Sequence, residues 1–101
     1  SITNEKSLYK WLDILNKQSV IAVDTETSSL NPLEANLIGI SFSYSPNKAC
    51  YIPVGHKNVK GLKKEFVLKK VKKILEDPSI KKVGQNIKFD FIVLKKKWYR
   101  N

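Results

Sequence analysis

A chain of 101 residues, 42% apolar and 28% charged, has room for one domain around one hydrophobic core and is too apolar for a disordered tail. No apolar run approaches the roughly 18 residues needed to span a bilayer. Ser1-Ile2-Thr3-Asn4-Glu5-Lys6 also lacks a basic-then-apolar secretion pattern, so no membrane partner is expected. The net charge of +10, from 19 basic and 9 acidic side chains, favours a polyanionic partner, nucleic acid foremost.

Residues 4–17 space Leu8, Trp11, Leu12 and Leu15 at i, i+3, i+4 and i+7, which predicts an amphipathic helix started by Thr3 or Asn4. Ser19 to Asp24 is a short β-branched apolar run and predicts a buried strand. Ser28 to Glu34, broken by Asn31-Pro32, is a turn; residues 36–44 and Ala49 to Val54 are two further strands around a turn at Ser45-Pro46-Asn47-Lys48. Short links between these three strands predict an antiparallel meander. A loop through Gly55, His56 and Gly61 leads to a helix over 64–76, with Phe66, Val67, Val71, Ile74 and Leu75 on one face and Asp77-Pro78 at its end. Lys81 to Gly84 predicts a short strand, and a last helix begins near Asn86 with Phe89, Ile92, Val93 and Trp98 turned inward. Helix, three strands, helix, strand, helix is the order of an α/β layered domain with a mixed sheet. The lone Cys50 has no disulfide partner, which predicts a reducing, cytoplasmic setting.

Two groups of residues can carry chemistry. In Asp24-Thr25-Glu26-Thr27, placed where the buried strand ends, strand alternation turns Asp24 and Glu26 to one face, about 6.5–7 Å apart along the backbone. Two carboxylates so placed repel unless a cation lies between them, and a hard ion such as Mg²⁺ or Mn²⁺ prefers these oxygens. Two acids facing solvent at a strand end would read the same way. In Gly84-Gln85-Asn86-Ile87-Lys88-Phe89-Asp90, a helix starting near Asn86 sets Asp90 one turn on, on the same face. Phe89, Phe91, Ile92 and Val93 surround Asp90, where a carboxylate needs a charge partner or a metal. A salt bridge to Lys88 would also serve.

The run Val23-Asp24-Thr25-Glu26-Thr27-Ser28-Ser29-Leu30 resembles the first motif of the DEDD-type 3'–5' exonucleases, and Val83 to Asp90 resembles their second. Asn36 to Phe42 and Tyr51-Ile52-Pro53-Val54 are similar in order and spacing to the proofreading domain of DNA polymerase I. The resemblance implies a ribonuclease-H-like mixed sheet with flanking helices and two divalent ions, Mg²⁺ or Mn²⁺ with Zn²⁺ as a substitute. It implies that Asp24 bridges both ions, Glu26 holds the one that activates water, and Asp90 holds the second. Thr25 would offer its amide to the sugar, Leu30 would wedge against the terminal base, Asn86 would bond near the terminal nucleotides, and Gln85 and Phe89 would wall the cleft. The implied partners are a single-stranded or frayed DNA 3'-end and a polymerase domain in the parent protein.

The family's third motif, a Tyr-x-x-x-Asp on a later helix, has no counterpart after Asp90, because only Arg100 and Asn101 follow Tyr99. The expectation is one truncated domain over 1–101, with the C-terminal part of the fold missing and weak or no cleavage by these residues alone. Two other readings fit the same residues: a non-catalytic domain that braces a polymerase or guides its primer strand, and a related exonuclease that trims RNA. The basic charge adds little discrimination, because every basic residue except Arg100 is lysine, as an AT-rich coding sequence also produces. His56 reads as a surface histidine, Lys95-Lys96-Lys97 as a solvated helix face, and Trp11 as a packing residue.

Overall fold

The computed structural model describes residues 1–28, 36–54 and 62–85, together with residues 90, 92 and 95. Helix α1 covers Glu5–Asn16 and begins where the Asn4 side chain accepts a 2.9 Å hydrogen bond from the Ser7 amide. Its Leu8, Leu12 and Leu15 are buried. Three strands follow, β1 over Val20–Thr27, β2 over Leu37–Ser45 and β3 over Lys48–Pro53, then helix α2 over Lys64–Leu75 and strand β4 over Lys81–Val83.

The sheet order is β3-β2-β1-β4, with β1–β2 and β2–β3 antiparallel and β1–β4 parallel. The expected meander and mixed sheet are therefore present. The β2–β3 hairpin turns through Pro46 and Asn47, and Asn47 takes a φ of 66°, a left-handed conformation that asparagine tolerates better than most residues. After α2, the Asp77 carboxylate accepts from the Ser79 amide and hydroxyl at 2.9 and 2.7 Å, which closes the turn into β4.

Strand alternation divides the sheet into two unlike faces. On one, Ile21, Val23, Ile40, Phe42 and Ile52 are buried, and they form one core with Leu8, Leu12 and Leu15 of α1 and Val67, Leu68, Val71, Ile74 and Leu75 of α2. Ile2 and Ile80 close its margins. Trp11 packs half-buried against Tyr44, ring centroids 5.7 Å apart, so its packing role holds. The other face carries small and polar side chains and holds the candidate site.

Two expectations change. Strand β1 does not stop at Asp24 but runs to Thr27, because β2 pairs with it as far as Leu37 opposite Thr27. The two acids therefore stand on a strand rather than past its end. Ile92, expected to point inward, is 43% exposed. Of the other positions of the expected last helix, Asp90 and Lys95 are described, whereas Asn86, Phe89, Val93 and Trp98 lie outside the described residues, as do Leu30, His56 and Lys96-Lys97. No helix among the described residues is long and apolar enough to cross a membrane.

Cys50 on β3 has no disulfide and is half-buried, and burial pushes its thiol up to about 11. Against the ordinary 9.0, that shift lowers the thiolate fraction near pH 8 roughly 100-fold, and thiolate is the reactive form. Iodoacetamide is expected to label Cys50 about 100-fold more slowly than a short cysteine peptide, followed by mass spectrometry. Equal rates would show the thiol to be open.

Candidate active site

The open face of the sheet is built in three rows that run across the strands. Ala22 on β1 is opposite Ser43 on β2, which is opposite Ala49 on β3. The next row is Asp24, Ser41 and Tyr51, and the third is Glu26, Gly39 and Pro53. Directly opposed residues in an antiparallel ladder share a face, so Asp24, Glu26, Ser41 and Tyr51 project to the same side. The small side chains of the first two rows leave a cleft of about 250 Å³ beside Asp24, with Gly84 and Gln85 at its β4 end. Gln85 is exposed there.

Asp24 and Glu26 are both exposed on the open face of β1. Asp90 is not: only 1% of its surface is accessible. Its position follows from the shortness of β4. Strand β4 pairs with β1 only from Val20 to Ala22, so the same edge of β1 has no strand partner beyond Ala22 among the described residues. A backbone amide at such an edge needs an acceptor. The Thr25 amide donates to Asp90 Oδ1 at 3.2 Å, and the Thr25 hydroxyl donates to the same oxygen. These bonds join residues 65 positions apart and bring Asp90 to the residue between Asp24 and Glu26. The Thr25 amide, expected to serve a sugar, is thus taken up by Asp90. Lys88, the ion-pair partner the sequence offers, lies outside the described residues.

The second carboxylate oxygen, Asp90 Oδ2, is buried with no hydrogen-bond partner among the described residues. Burial pushes the Asp90 carboxyl above its usual range, the two Thr25 bonds pull it back, and the negative charge of Asp24 pushes it up again. An orphaned buried oxygen, raised further by a neighbouring acid, is what a hard cation would relieve, so these residues fit a divalent ion. Their present separations are looser than a bound ion would require: among the described residues no three His, Cys, Asp or Glu side chains gather closely enough to hold a metal.

One feature of the cleft escapes sequence patterning. Gly39, buried inside β2, is opposite Glu26, and the Tyr51 ring lies over it; a β-carbon at Gly39 would overlap the Tyr51 hydroxyl and ring. Only a glycine inside a strand signals such a close approach in advance.

A mixed sheet with helices on one face and the acids of strand β1 on the other defines a ribonuclease-H-like α/β protein, as expected from the sequence. The chain belongs to the 3'-5' exonuclease family, whose family model matches residues 1–99. It is 40% identical over 96 residues to DNA polymerase I of Borreliella burgdorferi, an alignment covering 94% of this chain and 10% of that one. The chain spans about a tenth of the length of the DNA polymerase I relatives it matches. Among solved structures, Escherichia coli RNase D, an exoribonuclease involved in structured RNA processing, superimposes with a TM-score of 0.69 at 22% identity, over 94% of this chain and 23% of its own. Brucella melitensis NrnC with bound Mg²⁺ gives 0.61 at 29% identity, over 78% of this chain and 36% of its own.

Proposed function

We propose that the open face of the sheet removes nucleotides from a DNA 3'-end, in the manner of a polymerase's proofreading domain, with Asp24, Glu26 and Asp90 holding divalent ions. The observation that carries this reading is the bonding of Asp90 to Thr25, which joins the second acidic motif to the first across 65 residues. The orphaned Asp90 Oδ2 and the Mg²⁺ bound to the related NrnC support the choice of ion. Two ions held by Asp24, Glu26 and Asp90 would supply water activation and charge stabilisation at the departing 3'-oxygen.

The chain's own residues do the remaining work. Thr25 fixes the Asp90 carboxylate by two hydrogen bonds to one oxygen, leaving the other without a partner among the described residues. The cleft beside Asp24, floored by Ala22, Ser41, Ser43 and Ala49, is shallow and lightly charged, and it suits the sugar and base of a terminal nucleotide. Gln85 walls that cleft, and Leu30, Asn86 and Phe89 complete the proposed contacts to the terminal nucleotides. The +10 net charge favours approach of the strand. The 101 residues act as one unit beside a polymerase domain in a cytoplasmic parent protein.

The test is Mn²⁺ titration of the wild-type chain and of Asp24→Ala, followed by 3'-end removal from labelled single-stranded DNA and RNA of one sequence. Saturable Mn²⁺ binding that Asp24→Ala weakens by about 100-fold or more is expected, since even outer partners of a metal site carry 10–100-fold. Turnover within these residues is expected to be weak, because no Tyr-x-x-x-Asp follows Asp90 in them, and to prefer DNA. Equal Mn²⁺ binding by both proteins would favour the non-catalytic reading, and preference for RNA would favour the trimming one.

A further inference from the structure

We infer that Tyr51 is a positioning residue for Glu26, and that Gly39 is a glycine so that the Tyr51 ring can cross β2 to reach it. The inference rests on the proposal that Glu26 is a metal ligand. Tyr51 and Glu26 are on β3 and β1, two strands apart, and no ladder brings them together directly. Tyr51 is opposite Ser41, and Glu26 is opposite Gly39, two residues along the same strand. The only route between them is the diagonal across Gly39, a distance within the reach of an aromatic side chain. The ring takes that route: a β-carbon at Gly39 would collide with the Tyr51 hydroxyl and two ring atoms.

The base of the ring is held firmly. The Tyr51 carbonyl accepts a 2.8 Å bond from the Ile2 amide, while Ile2 itself is buried in the core. The far end, with its hydroxyl, lies over Gly39, the residue opposite Glu26. A tyrosine hydroxyl is a neutral hydrogen-bond donor. A neutral donor is well suited to this place, since it fixes a carboxylate's orientation without placing a competing positive charge beside the metal site. Outer partners of this kind hold a ligand in its productive direction and tune its affinity. Glu26 is otherwise an exposed side chain on a strand edge, free to turn to solvent.

The experiment compares Mn²⁺ affinity, by calorimetry, of the wild-type chain with Tyr51→Phe, Gly39→Ala, Glu26→Gln and the Tyr51→Phe/Glu26→Gln double variant, each checked for its metal-free melting curve. Tyr51→Phe is expected to weaken Mn²⁺ binding about 10-fold without moving the metal-free melting curve. Gly39→Ala, which displaces the ring, is expected to weaken binding to a similar extent. In the Glu26→Gln background, Tyr51→Phe is expected to add nothing, a coupling that a merely structural tyrosine would not produce. Wild-type binding with Tyr51→Phe unchanged, or with full additivity in the double variant, would overturn this inference alone. Absence of Mn²⁺ binding by the wild-type chain would overturn the metal reading, and this inference with it. Should Gly39→Ala fail to fold, the Tyr51→Phe and double-variant pair still decides.

Discussion

Replacing Asp90 with asparagine is expected to raise the melting temperature of the metal-free chain at pH 7 while weakening Mn²⁺ binding by about 100-fold or more. The two effects have one origin. Asparagine keeps an oxygen that can accept the Thr25 amide and hydroxyl, so the link between the motifs survives. It removes a buried charge whose second oxygen has no partner among the described residues, and an unpaired neutral amide costs less than an unpaired charge. Because burial raises the folded-state pKa of Asp90, its contribution to stability is fully present below the ordinary carboxylate range. That contribution is lost as pH rises through the folded value. In the presence of EDTA the wild-type chain should therefore lose stability from about pH 4 upward at this residue, and Asp90→Asn should flatten that decline. Saturating Mn²⁺ should reverse the ranking, stabilising the wild-type chain and leaving the variant unmoved. A variant that melts lower than wild type in EDTA, and shifts equally with Mn²⁺, would remove Asp90 from the site.

What the sequence made legible, and what it did not, divides along the range of the interactions. Helix α1 was readable because its apolar spacing and the Asn4 cap are local, and both recur in the structure. The shared direction of Asp24 and Glu26 was readable for the same reason, since strand alternation requires only the neighbouring residues. The length of β1 was not, because Asp24-Thr25-Glu26-Thr27 is polar and extends as a strand only through pairing with β2. The Thr25–Asp90 bonds cross 65 residues and depend on where β4 stops, which no local pattern encodes. The Tyr51–Gly39–Glu26 arrangement needs the registers of two ladders at once, which no periodicity within one strand encodes. The inward turn expected of Ile92 rested on apolar character alone, and its exposure shows that hydrophobicity does not fix the face of a terminal helix.

Phe42→Ala is expected to be the most destabilising single change in the sheet, costing about 3–5 kcal/mol. Phe42 is only 1% exposed at the middle of β2, with Val23 and Cys50 as its partners on the flanking strands. Truncation at such a site removes the transfer energy of the ring and leaves a cavity that two paired strands cannot readily close. Against a domain stability of about 5–15 kcal/mol, the loss is a large share of the total. With a urea slope of about 2 kcal/mol/M, the unfolding midpoint should fall by about 2 M. The consequence for the site follows from strand alternation. Phe42 points to the core, while its neighbours Ser41 and Ser43 floor the cleft on the opposite face. The variant should therefore lose Mn²⁺ capacity in proportion to the unfolded fraction, with the affinity of the folded molecules little changed, whereas Asp24→Ala should lower affinity at constant folded fraction. Calorimetry paired with circular dichroism at several urea concentrations separates the two. A Phe42→Ala chain that stays fully folded yet binds Mn²⁺ much more weakly would mean that the core face reaches the carboxylates by some route other than the stability of β2.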